Sequence, residues 1–322
     1  MSEENPILRV RDLVVEYAVR EGVIRANDHV SLDVAKGLVN ALVGESGSGK
    51  TTLVDAVMGT LPPNGYIRKG EIYFKDKNIL KLNPEERRKI RWEKIAMVFQ
   101  AAQNSLNPVM RVAEHFIDTV LAHKSMSKDE ILRKAEELLK LVRLDPEQVL
   151  NAFPHELSGG MKQRVIIALS LMLDPELLIL DEPTSALDVM TQHYLIRTLK
   201  EVHEKKGITM LLVTHDLPVV AEIADRVAIM YCAKIVEVGD VRKIFYEPLH
   251  PYTHGLIHSI PSIIGDLSKM RPIPGEPPSL LNPPPGCRFH PRCPYATEKC
   301  KKMEPPLVEV EKGRLVACFR YA

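Results

Sequence analysis

The sequence of 322 residues predicts an α/β fold with a parallel β-sheet at its core. Three short apolar runs, residues 41–43, 177–180 and 210–214, have the length and composition of buried strands. They are followed by a glycine-rich loop, an Asp-Glu pair and a His-Asp pair respectively. In folds of this class ligands bind beyond the carboxyl ends of the strands, so these polar residues are candidates for a functional site.

Composition and charge exclude several classes of protein. Lys plus Arg (43) nearly balances Asp plus Glu (42), and the resulting net charge of +1 does not favour nucleic-acid binding. The longest strongly apolar stretch, residues 165–173, is about half of the roughly 20 residues that a helix needs to cross a bilayer. The acidic N-terminus lacks a signal-peptide core. We therefore expect a cytosolic, soluble chain that meets a membrane only through a protein partner.

The glycine-rich loop fits the phosphate-binding pattern G-x-x-x-x-G-K-[ST] at residues 44–51, and a helix is predicted at 52–58. Its glycines allow backbone N–H groups to turn toward phosphates at the start of a helix. Lys50 is predicted to reach the β- and γ-phosphates, and the Thr51 hydroxyl to coordinate Mg²⁺. The alternative is an ordinary glycine-rich turn. The candidate nucleotide-binding residues are Gly44, Ser46, Gly47, Ser48, Gly49, Lys50, Thr51 and Thr52.

A second segment, Leu-Ser-Gly-Gly at residues 157–160, lies between this loop and the Asp-Glu pair. Other phosphate-loop proteins, such as kinases and GTPases, have no use for such a segment. With this segment the chain resembles the ATP-hydrolysing subunits of ABC (ATP-binding cassette) systems. The resemblance implies a P-loop NTPase ABC cassette, in which a parallel core sheet with flanking helices is joined by an antiparallel β subdomain and a helical subdomain.

The resemblance also implies roles for residues at strand ends. Asp181 would contact Mg²⁺ through water, and Glu182 would polarise the water that attacks the γ-phosphate. His215 matches the switch histidine that contacts the γ-phosphate and the attacking water, although a lone histidine is more often a surface or core residue. Gln100, after the apolar residues 96–99, matches the glutamine that senses Mg²⁺ beside the transporter contact.

Further residues are implied to bind nucleotide. In the family, Ser158, Gly159 and Gly160 cap the γ-phosphate held by the opposite cassette, so hydrolysis requires a dimer. Asp188 ends a Ser-Ala-Leu-Asp segment that resembles the D-loop. Tyr17 is the candidate for stacking on adenine, and a half-buried strand tyrosine is the alternative reading.

The chain is predicted to comprise a nucleotide-binding domain (1–246) and a C-terminal extension (247–322). A capping box at Ser127 starts a helix with apolar residues at helical spacing, and the family's helical subdomain is assigned to about 104–172. After about residue 245 the composition changes. Fourteen of the 24 prolines lie between 248 and 306, so the extension is predicted to be loop-rich rather than a regular helical or sheet domain.

Four of the five cysteines lie in the extension, as Cys287-x5-Cys293-x6-Cys300-x17-Cys318. A cytosolic location argues against disulfides and favours a metal or cluster site. The tight Cys pair that is usual at zinc sites is absent, so an iron–sulfur cluster is the better prediction and zinc the alternative. The distance in sequence from every nucleotide motif favours a structural or docking role for this site. Cys232 is predicted to be a buried apolar filler.

Three segments of the extension, residues 248–253, 273–275 and 286–293, resemble the C-terminal region of oligopeptide, dipeptide and nickel importer ATPases. The resemblance implies a [4Fe-4S] site on the four cysteines and a peripheral location at the cytoplasmic face of the membrane. It also implies as partners a second ABC ATPase, two membrane permease subunits and, indirectly, a substrate-binding protein. Peptide is the predicted cargo, with oligosaccharides or nickel as alternatives. The other functional class, a soluble ABC ATPase in translation or nucleic-acid maintenance, typically has fused cassettes, a coiled coil or a basic face, none of which the sequence shows.

Overall fold

The structure is a computed structural model and describes residues 6–185, 187–259 and 273–322. The chain divides into two compact units. Unit 1 is built from the segments up to residue 36, 40–80 and from 213 onward, and unit 2 from 37–39 and 81–212.

An antiparallel sheet of four strands lies in unit 1. Its order is β2-β1-β4-β5, with β1 (Leu8–Val19) between its two long partners. Inward-facing residues of β1 such as Leu13 and Val15 are fully buried, which places an apolar core beneath this sheet. The other strands are β2 (Gly22–Val34), β4 (Gly65–Phe74) and β5 (Lys77–Asn78).

Unit 1 also contains the strand order β11-β12-β10-β9-β3. β3 (Val39–Val43) pairs in parallel with β9 (Arg226–Tyr231), and the remaining pairs are antiparallel. The phosphate-binding loop leaves β3 and leads directly into helix α1. The helices of this unit are α1 (Lys50–Met58), α8 (Leu217–Ile223), α9 (Val241–Tyr246), α10 (Pro251–His258) and α11 (Glu298–Lys302), and the remaining strands are β10 (Lys234–Asp240), β11 (Val308–Glu311) and β12 (Arg314–Val316).

Unit 2 contains the strand order β8-β7-β6, whose members are wholly buried. β6 (Ile95–Val98) and β7 (Leu177–Asp181) run parallel, with Val98 opposite Leu180. β8 is Thr209–Thr214, and its last two residues lie in unit 1. The helices are α2 (Pro84–Ile90), α3 (Val112–Leu121), α4 (Lys128–Leu141), α5 (Pro146–Asn151), α6 (Gly159–Ser170) and α7 (Val189–Lys206).

The predicted α/β fold class is confirmed, and each apolar run lies within a strand of the structure. The predicted capping box is also present: Ser127 accepts a hydrogen bond from the N–H of Glu130, whose carboxylate accepts one from the N–H of Ser127. The helices α3 to α6 lie within the range assigned to the helical subdomain, whose bounds remain a prediction.

The extension is more regular than the proline content predicts. After the last proline, Pro306, strands β11 and β12 form a hairpin, and β12 pairs with β10. Proline cannot donate to a sheet ladder, and its absence beyond residue 306 leaves the chain free to pair there. No helix of the described ranges is long and apolar enough to cross a membrane.

Candidate functional site

The phosphate-binding loop has a backbone that its glycines make possible. Gly49 has a φ of +103°, and a Cβ atom at this position would lie 2.1 Å from the carbonyl oxygen of Ala26. Side chains other than hydrogen are therefore excluded there by both backbone conformation and space. The carbonyl oxygen of Gly49 accepts a hydrogen bond from Asn27, and that of Ser48 accepts one from the N–H of Ala233. The loop is thus fixed on two sides by its own unit.

Lys50 is buried, and its ammonium group lies inside the loop. Its Nζ atom donates to the carbonyl oxygens of Gly44 at 2.8 Å and Glu45 at 3.0 Å, and it lies 3.5 Å from Oγ of Ser48. These contacts keep a positive charge at the centre of the loop. By contrast Ser46, Gly47 and Thr51 are exposed, and Thr51 lies in the first turn of α1.

Tyr17 lies near the end of β1 and is half-buried. Its hydroxyl group is 3.2 Å from the side-chain oxygen of Thr52, so the predicted adenine-stacking residue and the loop are neighbours. A Cβ atom at Gly65 would lie 2.7 Å from the ring, which shows that Gly65 makes room for it. Stacking on adenine remains a prediction.

His215 follows the end of β8 in unit 1 and is exposed. The residues on either side of it are fixed by a local turn, because the N–H of Asp216 donates to the Thr214 hydroxyl at 3.0 Å. Asp216 then caps α8 by accepting a hydrogen bond from the N–H of Val219. His215 is therefore held between a strand end and a helix cap.

In unit 2 the parallel pairing of β6 and β7 brings three of the predicted residues to the same edge of the sheet. Gln100 is two residues beyond β6 and exposed, Asp181 is the buried last residue of β7, and Glu182 follows it. Glu182 has a φ of +47°, in the left-handed region. For a residue with a side chain this conformation is strained, and such strain is concentrated at functional sites.

The Ser-Gly-Gly segment forms the start of α6. Ser158 is its N-cap, with Oγ accepting from the N–H of Met161 at 3.3 Å. A Cβ atom at Gly160 would lie 2.3 Å from a methyl carbon of Thr191, so glycine permits close packing of α6 against α7. Asp188 caps α7 by accepting hydrogen bonds from the side chain and the N–H of Thr191, which lower the pKa of its carboxyl group. Ser158 and Gly159 are exposed.

The four cysteines of the extension are reduced and line one pocket of about 170 Å³. Burial raises the pKa of the Cys287 thiol to about 11 and raises the pKa values of Cys293 and Cys318. The described ranges contain no group of three or more His, Cys, Asp or Glu side chains placed to hold a metal ion. Cys232 is buried as predicted, which raises its pKa.

Cationic side chains border the same pocket. The ammonium group of Lys299 is 4.0 Å from the ring centroid of Phe319, and the guanidinium group of Arg320 is 4.8 Å from that of Tyr295. Both cations therefore lie against aromatic rings, an arrangement that is electrostatically favourable. The pocket is thus lined by four thiols and bordered by two cationic side chains.

Three contacts of the loop could not be found from sequence patterns. Glu45 occupies a variable position of the phosphate-binding motif, yet its carboxylate pairs with Arg292 and its N–H donates to the hydroxyl oxygen of Tyr252. The extension is thus in direct contact with a nucleotide motif, although the two are far apart in sequence. In the sequence, what could have drawn attention to Arg292 was its position immediately before Cys293.

Comparisons with known proteins agree with this geometry. A family model described as "ABC transporter" matches residues 27–185, and one described as "Oligopeptide/dipeptide transporter, C-terminal region" matches residues 236–300. Among curated relatives, the dipeptide transport ATP-binding protein DppD of Caldanaerobacter subterraneus subsp. tengcongensis is 56% identical over 98% of this chain and 97% of its own length. The oligopeptide transport ATP-binding protein OppD of Escherichia coli is 42% identical over 99% and 94%.

Solved structures show the same fold. The ATP-binding cassette MJ0796, described as a dimer in a post-hydrolysis state bound to ADP and Pi, matches with a TM-score of 0.65 and 30% identity. The match covers 73% of this chain and 99% of that one. The nucleotide motifs, the cassette fold and the matching C-terminal region together define an ABC-type ATP-binding protein. The chain belongs to the ABC transporter ATP-binding proteins, in the family that carries the oligopeptide/dipeptide transporter C-terminal region.

Proposed function

We propose that this chain is the ATP-hydrolysing subunit of an ABC importer of oligopeptides or dipeptides, peripheral to the cytoplasmic face of the membrane. The observation that carries this proposal is similarity along nearly the whole chain, extension included, to ATP-binding proteins of dipeptide and oligopeptide transport. Oligosaccharides or nickel remain alternative cargoes of the same class. The near-zero net charge gives no support to a role in translation or nucleic-acid maintenance.

Nucleotide binding is assigned to the loop of unit 1. Lys50 and the loop N–H groups would hold the phosphates, Tyr17 would stack on adenine, and Thr51 would be a ligand of Mg²⁺. Mg²⁺, when bound, neutralises phosphate charge. The exposure of Thr51 and the central position of the Lys50 ammonium group support these roles.

Hydrolysis is assigned to residues at strand ends. Glu182 would orient the attacking water and accept its proton, and His215 would contact the γ-phosphate. Asp181 and Gln100 would hold Mg²⁺, in the case of Asp181 through water. The position of Glu182 directly after Asp181, at the carboxyl end of the buried strand β7, supports its assignment.

A second cassette is part of the proposal. Ser158, Gly159 and Gly160 would cap the γ-phosphate bound by the partner, and Asp188 would lie at the same boundary between cassettes. The exposure of Ser158 and Gly159 supports this. The proposed complex contains a second, different ATPase, two membrane permease subunits and, indirectly, a substrate-binding protein.

We also propose that Cys287, Cys293, Cys300 and Cys318 ligate a [4Fe-4S] cluster that stabilises the extension. The common pocket of the four thiols supports it, and the cationic border suits the negative charge of a thiolate-bound cluster. A zinc ion is the alternative. It would need four ligands that converge on one point at about 2.3 Å, and the described residues hold no group placed in that way. When bound, the cluster would supply the positive iron charge that keeps these thiols ionised against the effect of burial.

Co-purification tests the transporter assignment. The chain is expressed together with its candidate permease subunits, and the complex is isolated from detergent-solubilised membranes through a tag on a permease. The proposal expects this chain and a second ATPase in the complex, with ATP hydrolysis above that of the isolated chain. A chain that never associates with permeases and instead sediments with ribosomes would contradict it.

A further inference from the structure

Glu45 is held at both its backbone and its side chain by residues from far along the chain. Its carboxylate and the guanidinium group of Arg292 form a bidentate pair, with Oε2 2.8 Å from Nη1 and Oε1 3.2 Å from Nη2. Its N–H donates to the hydroxyl oxygen of Tyr252 at 3.0 Å. Its carbonyl oxygen accepts from Lys50. Glu45 thus connects the C-terminal extension with the lysine at the centre of the phosphate-binding loop.

On the other side of this contact, Arg292 is held by several interactions. The Arg292 side chain is only 6% exposed, its Nε donates to the carbonyl oxygen of Pro274 at 2.8 Å, and its Nη1 is 3.4 Å from the hydroxyl oxygen of Tyr231. Below it, the rings of Tyr231, Tyr252 and Phe289 pack with centroid separations of 4.4 to 5.5 Å, all nearly inaccessible to solvent. A guanidinium group fixed in this way holds its partner at low entropic cost.

The charge of Glu45 makes this support necessary. A phosphate-binding loop is built to attract anions, and a carboxylate within it repels the phosphates unless a cation neutralises it. The Glu45 side chain is 26% exposed, so it retains access to the solvent side of the loop when its partner is removed. Arg292 both neutralises the carboxylate and holds it in one direction.

The same support is continuous with the cysteine-lined pocket. Arg292 immediately precedes Cys293, and Phe289, which packs on both tyrosines, lines the pocket beside Cys287. Arg292 therefore lies between a cysteine that lines this pocket and Glu45.

We propose that Arg292 is a positioning residue for the phosphate-binding loop, through which the C-terminal extension sets the affinity of the loop for ATP. The inference rests on the proposed nucleotide site. Arg292 does not touch the nucleotide in this account and acts only by neutralising and orienting Glu45.

Binding of MgATP to the full-length chain, measured by calorimetry, tests this. Arg292→Gln should weaken binding about tenfold or more, since it leaves an unpaired carboxylate in the loop. The loss should shrink as salt is raised, because screening weakens repulsion between Glu45 and the phosphates. Arg292→Lys, which keeps the charge without the bidentate geometry, should recover part of the affinity.

A double variant separates positioning from general stability. Glu45→Gln/Arg292→Gln contains no unpaired carboxylate and should bind ATP as Glu45→Gln alone does. The matched control is Arg288→Gln, which breaks another largely buried ion pair of the extension, with Asp28, and should retain parental affinity. Thermal unfolding of each variant shows that the folded protein is being compared.

The outcomes are distinct. Parental affinity in Arg292→Gln, or a double variant as weak as Arg292→Gln, would overturn the proposal. Lys50→Ala serves as the reference for the site: if it binds ATP like the parent, the nucleotide-site assignment fails. Loss of binding in Lys50→Ala together with no effect of Arg292→Gln defeats only the role of Arg292.

Discussion

Ser185 donates two hydrogen bonds to the carbonyl oxygen of Glu182, from its N–H at 3.1 Å and from its hydroxyl group at 2.9 Å. They close a turn immediately after β7 and hold Glu182 at a φ of +47°. The left-handed conformation costs a residue with a Cβ atom about 1 to 2 kcal/mol, and two hydrogen bonds of about 1 kcal/mol each offset this cost. The direction in which Glu182 leaves the strand is therefore fixed.

The first prediction concerns this glutamate. Glu182→Gln keeps the shape of the side chain and removes the base, so ATP should bind while hydrolysis in the assembled complex falls about a hundredfold or more. An ATP-loaded dimer should accumulate, detectable by size-exclusion chromatography with light scattering. Glu201→Gln, which removes a surface carboxylate paired with Arg143, is the control and should turn over normally. Turnover by Glu182→Gln at close to the parental rate would remove Glu182 from its assigned role.

The second prediction concerns the shared site. Ser158→Arg should abolish hydrolysis of the ATP bound by the partner cassette and leave the ATP affinity of this chain intact, because Ser158 is proposed to serve the opposite nucleotide. The assay is single-turnover hydrolysis in a dimer whose other site is inactivated.

A second N-cap serine provides the control. Ser127→Arg removes the cap of α4 in the same way and should cost about 1 kcal/mol of stability without affecting hydrolysis. Equal specific activity of the parental chain at every dilution, with a monomer by light scattering, would contradict a site shared between two cassettes.

The third prediction concerns the attachment of the extension. Glu237 is fully buried on β10, accepts hydrogen bonds from the N–H groups of Leu249 and His250, and lies 3.6 Å from the buried Arg314. Burial raises the pKa of Glu237, which those hydrogen bonds oppose. Glu237→Gln leaves donors unpaired and should lower the free energy of unfolding by about 3 kcal/mol.

The measurements are thermal unfolding and limited proteolysis with N-terminal sequencing of fragments. Cleavage of Glu237→Gln should begin between residues 246 and 322 and leave the nucleotide-binding part intact. Glu298→Gln removes an exposed carboxylate of the extension that pairs with Lys301 and should change stability by less than about 1 kcal/mol. A melting temperature equal to that of the parent would show that Glu237 does not hold the extension.

The fourth prediction concerns the cysteines. Anaerobically purified protein should be brown and contain about four iron and four sulfide per chain. Cys293→Ser should remove the colour and make the extension susceptible to proteolysis, whereas Cys232→Ser, outside the pocket, should keep the colour. If the protein instead contains about one zinc per chain and no sulfide, the site is a zinc site. If it contains no metal and the cysteines are found in disulfides, neither the cluster nor the zinc assignment holds.

The sequence predicts the strands and the loop between β3 and α1 well, because a buried parallel strand is a short apolar run and a phosphate-binding loop needs glycine at fixed positions. The contact of Arg292 with Glu45 could not be predicted. It joins residues 247 positions apart, and no local pattern records such a pairing. Strand β12 was missed for a related reason, since its pairing with β10 depends on tertiary position and the prolines before it suggested only loops.

The role of Asp188 shows another limit. Its match to the D-loop indicated a nucleotide contact, and the structure adds a local task, the capping of α7 through Thr191. Ser158 likewise caps α6. A residue at the start of a helix commonly has both roles, since the same side-chain oxygen can accept a hydrogen bond from a backbone N–H and lie beside an anion site.

ATP-driven peptide uptake is the most direct test of the central claim. The complex of this chain, its partner ATPase and the permeases is reconstituted into vesicles with the nucleotide-binding subunits outside, and the substrate-binding protein and labelled di- and oligopeptides are enclosed. Labelled peptide should leave the vesicle lumen on addition of MgATP, at a rate abolished by Glu182→Gln. ATP hydrolysis without movement of any peptide, together with movement of a labelled oligosaccharide or nickel, would contradict the assignment to peptide import.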